Sequence, residues 1–174
     1  MANAVKGPVI RNMIADYLNV GTTEASAYEL MGRGFNSLNE SPNAQSEERA
    51  YISDKSKTKT TTGYATAFPF DTDMISSEEA VMSIYEVGRN QLQGAAAERD
   101  YVRVEVFLGD NGTPNEYPAR KFRVAVEVSD ISGAGTEIMK MSGNLNGVGD
   151  FVDGTFNVQT RTFTPKTPAP ESED

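Results

Sequence analysis

KFRVAVEV, residues 121–128, alternates side chains without a break. Phe122, Val124, Val126 and Val128 fall on one side, and Lys121, Arg123, Ala125 and Glu127 on the other. Side chains alternate across a strand, so such a segment offers one face to a core and one to water. Upstream, DYVRVEVFL (100–108) repeats the pattern, with Val102, Val104 and Val106 opposed to Tyr101, Arg103 and Glu105. Between the two, GDNGTPNEYPA (109–119) is punctuated by Gly, Asn and Pro, the chemistry of a loop. Two half-buried strands joined by a loop set the reading of the chain as mainly β.

Working outward, IADYLNV and YELMGRG flank the polar GTTEASA (21–27) and predict a hairpin. VIRNMIADYL (9–18) also carries Ile10, Ile14, Tyr17 and Leu18 at helical spacing, which leaves a helix open there. Downstream, TEIMKMSGNL (136–145) and GTFNVQTRTF (154–163), separated by NGVGDFVD, read as a second strand pair. A single helix over about residues 77–92 interrupts the strands. Ser76 and Glu79 match a capping box, Val81, Ile84, Tyr85, Gly88 and Leu92 build an apolar stripe, and Gly94 supplies a stop. One amphipathic helix among strands predicts a cover over an open face of a sandwich or barrel.

Composition narrows the chemistry. The 174 residues are enough for one domain with a sizeable core, but they include no Cys, His or Trp. Thiolate nucleophiles, imidazole bases and the usual zinc ligands are excluded together. The net charge of −9 repels nucleic-acid backbones, and no apolar run approaches the ~20 residues of a membrane span. The glycine motifs are incomplete. Gly133 and Gly135 in SGAGTEI are followed by Ile138 where a dinucleotide fingerprint needs a third glycine, and GNLNGVGD lacks the Lys-Ser/Thr ending of a phosphate loop. Asp71-Thr72-Asp73 lacks the glycine and glutamate of a calcium loop and reads as the polar entry to the helix. The adjacent pairs Glu47–Glu48 and Glu78–Glu79 read as solvated surface. The expectation is therefore a protein that is not an enzyme, with no cofactor and no metal. Residues 1–164 form the domain, and the Pro-rich acidic segment 165–174 is a disordered tail.

One stretch remains, NAQSEERAYISDKSKTKTTTGYATAFPF (43–70). It begins acidic, turns abruptly to Lys and Thr, and ends in aromatics and proline. Together with its surroundings it carries a resemblance. GRGFNSLNESPNAQSEERAYISDK (32–55), TTTGYATAFPFDTD (60–73), SIYEVGRNQL (83–92), ARKFRVAVEVS (119–129) and MSGNLNGVGDFVDGTF (141–156) follow in an order and spacing that resembles the major tail (tail tube) proteins of long-tailed bacteriophages and phage-tail-like bacteriocins. The resemblance spans nearly all of residues 5–163.

It implies a tail-tube-type β-sandwich or barrel with one flanking helix. The implied subunit assembles in the host bacterial cytoplasm into stacked hexameric rings and resides in the virion. Those rings enclose a conduit through which DNA is ejected without specific binding. Other tail proteins, such as the tape measure and tail terminator, are the implied partners, and no membrane is involved. It further implies that the segment between the early hairpin and the helix reaches a neighbouring subunit. Glu47 and Glu48, against Lys55, Lys57 and Lys59, are the candidates for that contact. Glu105 and Glu127, on the polar faces of the two best strands, are the candidates for the lumen wall. The alternative is an acidic β-sandwich that binds carbohydrate or a surface. The missing tryptophan argues against it.

Overall fold

The computed structural model describes residues 3–53 and 55–167. It is mainly β, with one α-helix. In chain order the elements are β1 (Ala15–Asn19), β2 (Tyr28–Leu30), β3 (Phe35–Leu38), β4 (Ala44–Arg49), β5 (Thr58–Tyr64), β6 (Ala67–Asp73), α1 (Glu79–Arg89), β7 (Glu98–Val104), β8 (Glu116–Ser132), β9 (Lys140–Gly147), β10 (Val152–Asn157) and β11 (Thr162–Pro165). Nine strands form one sheet in the order β2-β1-β7-β8-β9-β6-β3, with β10 also on β8 and β11 on β10. Strands β4 and β5 pair only with each other.

The alternation over 121–128 belongs to a strand of 17 residues, about 55 Å at ~3.3 Å per residue. One edge of β8 pairs with β7, Val104 lying opposite Ala119 and Glu98 opposite Ala125. Its other edge is shared: β10 runs beside 116–121 and β9 beside 124–132. The Val148 N–H donates to the Arg123 carbonyl (2.8 Å) where the two partners meet. The expected pairing of TEIMKMSGNL with GTFNVQTRTF is thus corrected. β9 lies between β8 and β6, while GTFNVQTRTF folds on itself into β10 and β11. The hairpin expected around GTTEASA is present as β1–β2, with Leu18 opposite Glu29, and the helical option there reduces to a single turn at Arg11–Met13.

Two cores sit on opposite faces of β7. The larger one gathers Leu18, Phe68, Ile84, Tyr101, Phe122 and Leu145 under α1. Phe68 packs against Tyr101 and Phe122, with ring centroids 4.6 and 4.9 Å away. The smaller one gathers Tyr17, Tyr28, Val102, Val104, Ala119 and Phe156. There the sheet curls until Phe156 of β10 meets Tyr17 of β1 at 4.5 Å and Tyr28 of β2 at 5.6 Å. Arg161, in the β10–β11 turn, closes the curl on Glu29 (2.6 Å). The wet face expected for DYVRVEVFL is therefore corrected, since Tyr101 and Arg103 are as buried as Val102 and Val104. The apolar face of β8 is buried as expected, through Phe122, Val124 and Val126.

In α1, the buried side chains Ala80, Val81, Ile84 and Val87 recur at helical spacing. Covering Ile84 completely is worth roughly 1.5–3 kcal/mol. Gly88 faces β8 so closely that a Cβ would come within 2.9 Å of Val128. Both expected ends shift. The Ser76–Glu79 capping box is replaced by Glu78 at the N-cap, without a side-chain cap bond, and Glu79 in the first turn favours the helix dipole instead. At the far end Gln91 takes the left-handed conformation (φ 50°), its N–H donating to the Gly88 carbonyl (3.3 Å) while Leu92 donates to Val87 (3.0 Å). That Schellman closure ends the helix before Gly94, which opens a short turn of 3₁₀ helix.

Two further readings change. Asp71-Thr72-Asp73 completes β6 rather than entering the helix; Thr72 is fully buried and Asn36 Nδ2 donates to both aspartates at 3.0 Å. The boundary expected at residue 164 moves on, because Pro165 lies opposite Gly154 and the Lys166 N–H donates to the Asp153 carbonyl (2.8 Å). A proline suits this place on an edge strand, where its missing N–H would point away from the partner strand. The expectation for 168–174 lies outside the described residues.

Candidate functional site

The β4–β5 hairpin is where the residues singled out between 43 and 62 come together. The register sets Glu48 opposite Lys59, Glu47 opposite Thr60 and Arg49 opposite Thr58, with a bulge between Gln45 and Ser46. Apart from Gly63, every residue of both strands is exposed. The acidic-to-basic change along the sequence becomes a pairing across the ribbon: Lys57 Nζ lies 3.7 Å from Glu48, while Glu47 pairs with Arg49 at 2.9 Å. Lys55 and Lys59 make no ion pair with a described residue. Thr58, Thr60 and Thr62, spaced two apart, share a concave side of about 410 Å³ with Glu47, Arg49 and Tyr51. At the tip Tyr51 is 66% exposed and Ile52 is fully exposed.

The hairpin's root is anchored by a charge network that residue spacing did not reveal. Asp16, fully buried on β1, accepts from the Tyr101 hydroxyl, from Arg103 Nε (3.0 Å) and from Arg11. Arg103 continues to Glu40 Oε2 (3.0 Å) and the Leu38 carbonyl (3.3 Å). Arg120 grips both oxygens of Glu40, at 2.8 and 3.0 Å, and reaches Glu105 at 3.2 Å. Three carboxylates and three guanidiniums thus alternate, and a two-pronged guanidinium–carboxylate contact fixes direction as well as distance. Burial opposes ionisation of Glu40, but the hydrogen bond and charge of Arg120, joined by Arg103, outweigh it and hold the carboxyl below its usual range. Burial first and then the Asp16 charge push the Tyr101 phenol well above its ordinary range. Glu40 immediately precedes the hairpin, where Ser41 bridges to Ala67 and Asn43, left-handed at φ 48°, exchanges bonds with Ala65.

Beside this root lies a groove of about 540 Å³, lined by Pro42, Tyr64, Phe122, Phe151 and Arg120 among others. The Arg120 guanidinium stands 5.5 Å over Phe122 and 5.7 Å over Phe151, so one side chain both holds Glu40 and floors the groove. A larger concavity, about 750 Å³ along α1, is lined mainly by polar and charged side chains, including Glu79, Glu86, Arg89 and Arg99.

Glu105 and Glu127 are not brought together. Glu105 follows β7 inside the charge network, whereas Glu127 is exposed on β8 and accepts from Asn146 Nδ2 at 2.8 Å. Among the described residues, no cluster of Asp and Glu is arranged to hold a metal ion, and no helix is long and apolar enough to cross a membrane. Sequence reading missed the tip residues Tyr51 and Ile52, although two bulky apolar groups inside a polar turn are an available signal. The groove had no such signal, because its walls are 22 to 109 residues apart along the chain.

No family model and no curated protein matches the chain. Among solved structures it is similar to a chain of the cryo-EM structure of the anti-feeding prophage (AFP) baseplate, 6-fold symmetrised, with 6% identity and a TM-score of 0.49, over 86% of this chain and 97% of that one.

Proposed function

We propose that the protein is the structural subunit of a phage-type tail tube, self-assembling into stacked hexameric rings around a conduit for DNA. The observation that carries this reading is the β4–β5 ribbon. A two-stranded hairpin alone in water is marginal at best, and its outer edges present unpaired backbone groups. A ribbon exposed on both faces, yet rooted by two arginines on Glu40, is built to be completed by another chain. The ordered motifs that resemble tail tube proteins supply the kind of assembly, with tape measure and terminator proteins as further partners. The charge of −9 suits a wall past which phosphates slide without binding.

Negative-stain microscopy of the purified full chain at tens of micromolar tests this. Rings or tubes of uniform diameter are expected, and they should vanish when Ser46–Thr62 is replaced by a two-residue turn while the folded signal persists. Monodisperse monomers that bind a glycan array would overturn the proposal in favour of a carbohydrate-binding module.

A further inference from the structure

We infer that the Tyr51–Ile52 tip of one copy docks into the groove between Tyr64 and Phe151 of a second copy. This deepens the self-assembly reading and rests on it. The tip offers a bulky aliphatic group wholly in water beside a largely exposed aromatic one. The groove offers a matching cleft with apolar walls, in which Tyr64 and Phe151 are themselves substantially exposed. An apolar knob and an apolar cleft left open on one molecule are each other's simplest partners.

A molecule cannot satisfy its own knob. Strands of six and seven residues hold the tip about 20 Å from the root, and the groove is at the root. Knob and hole therefore meet only between molecules, head to tail. Such a heterologous contact leaves a free knob at one end of every pair and a free hole at the other, so it propagates until it closes into a ring or continues as a filament.

Charge selects a second copy as the occupant. Residues 47–59 carry Arg49, Lys55, Lys57 and Lys59 against Glu47, Glu48 and Asp54, a local surplus of one positive charge. With −9 over the whole chain, −10 is left for the remainder. Arg49 and Lys57 are paired inside the ribbon by Glu47 and Glu48, which leaves Lys55 and Lys59 outside any ion pair with a described residue and attracted to another, acidic body. Asp150, exposed in the groove lining, adds negative charge where the tip would arrive.

The chain has no cysteine, so single cysteines report position directly. Ile52→Cys and Asp150→Cys proteins, each carrying one thiol, are mixed under assembly conditions and oxidised, with Thr113→Cys on a remote loop as control. The expected result is a disulfide dimer between chains from the first pair and none from Ile52→Cys with Thr113→Cys. Ile52→Asp, on a surface that cannot unfold the monomer, should raise the critical concentration for assembly at least about tenfold. Polymers that form without the 52–150 link, or whose tip links to position 113, overturn the docking while leaving self-assembly standing. Failure of the unmodified protein to associate at any concentration overturns both.

Discussion

Strand β7 and the β4–β5 hairpin are built on the same alternation and reach opposite ends of the burial scale. In β7, Tyr101 and Arg103 face one core and Val102 and Val104 the other, and all four are sealed from water. In the hairpin, Glu47, Arg49, Thr58 and Thr60 face one side, Glu48 and Lys59 the other, and all are wet. A central strand between two cores tolerates a polar residue only if partners satisfy it, and Arg103 is satisfied by Asp16 and Glu40. A detached ribbon tolerates almost any polar residue, so its composition is free to follow what it meets outside the molecule. The first region is part of the monomer's core, and the second lies outside it.

The sharpest way to break that contrast is to remove the buried charge of β7. Arg103→Ala leaves Asp16 and Glu40 short of a cation in a place water does not reach, and should destabilise by about 3–5 kcal/mol in denaturant titration. A loss under about 1 kcal/mol would mean that this side of β7 rehydrates freely and is no core at all.

A smaller effect belongs to Glu40, which lies between the two regions. Its carboxyl titrates below the ordinary range in the folded protein, so its contribution is fully present above the unfolded value of about 4.3 and fades as pH falls through the folded one. Between about pH 5 and pH 3 the melting temperature should drop, and Glu40→Gln, already less stable at neutral pH, should drop less steeply across that window. Parallel curves for the two proteins would show that the arginines do not hold the hairpin root through this charge.

The smallest effect should come from the ribbon. Lys57→Gln removes a 3.7 Å pair whose two members are more than half exposed, so monomer stability should change by less than about 0.5 kcal/mol. A loss above about 1 kcal/mol would place the ribbon among the elements that hold the monomer together.

What could be read from residues alone follows the same division. The period of two over 121–128 identified β8 because over that stretch one of its faces is apolar. The same logic misread β7, since an arginine 87 positions from its aspartate looks like a surface residue until the fold unites them. Pairing of β9 with β10 was the natural guess for neighbours in sequence, and it failed because an unusually long β8 has room for both along one edge. Ser76 met the pattern of a cap, but the helix began two residues later, and Gln91 took the left-handed position that Gly94 was expected to supply. The hairpin segment was legible as patterned from its charge reversal, its outward reach being only what the resemblance implied. Its Glu40 anchor and the adjacent groove were not, because both are assembled from side chains that no local spacing connects.

The order of strands also sets a timetable for the ribosome. Strands β3 and β6 leave it early, yet they enter the main sheet only through β9, whose last residue is Gly147. Phe68 and Phe70 on β6 must therefore wait while the chain from Asp73 to Gly147 is made, roughly 4–15 s at typical rates of synthesis. The hairpin sits between these two waiting strands, and Arg103 and Arg120, which fix its root, also emerge later. A nascent chain thus has no rigidly rooted ribbon until its synthesis is nearly complete.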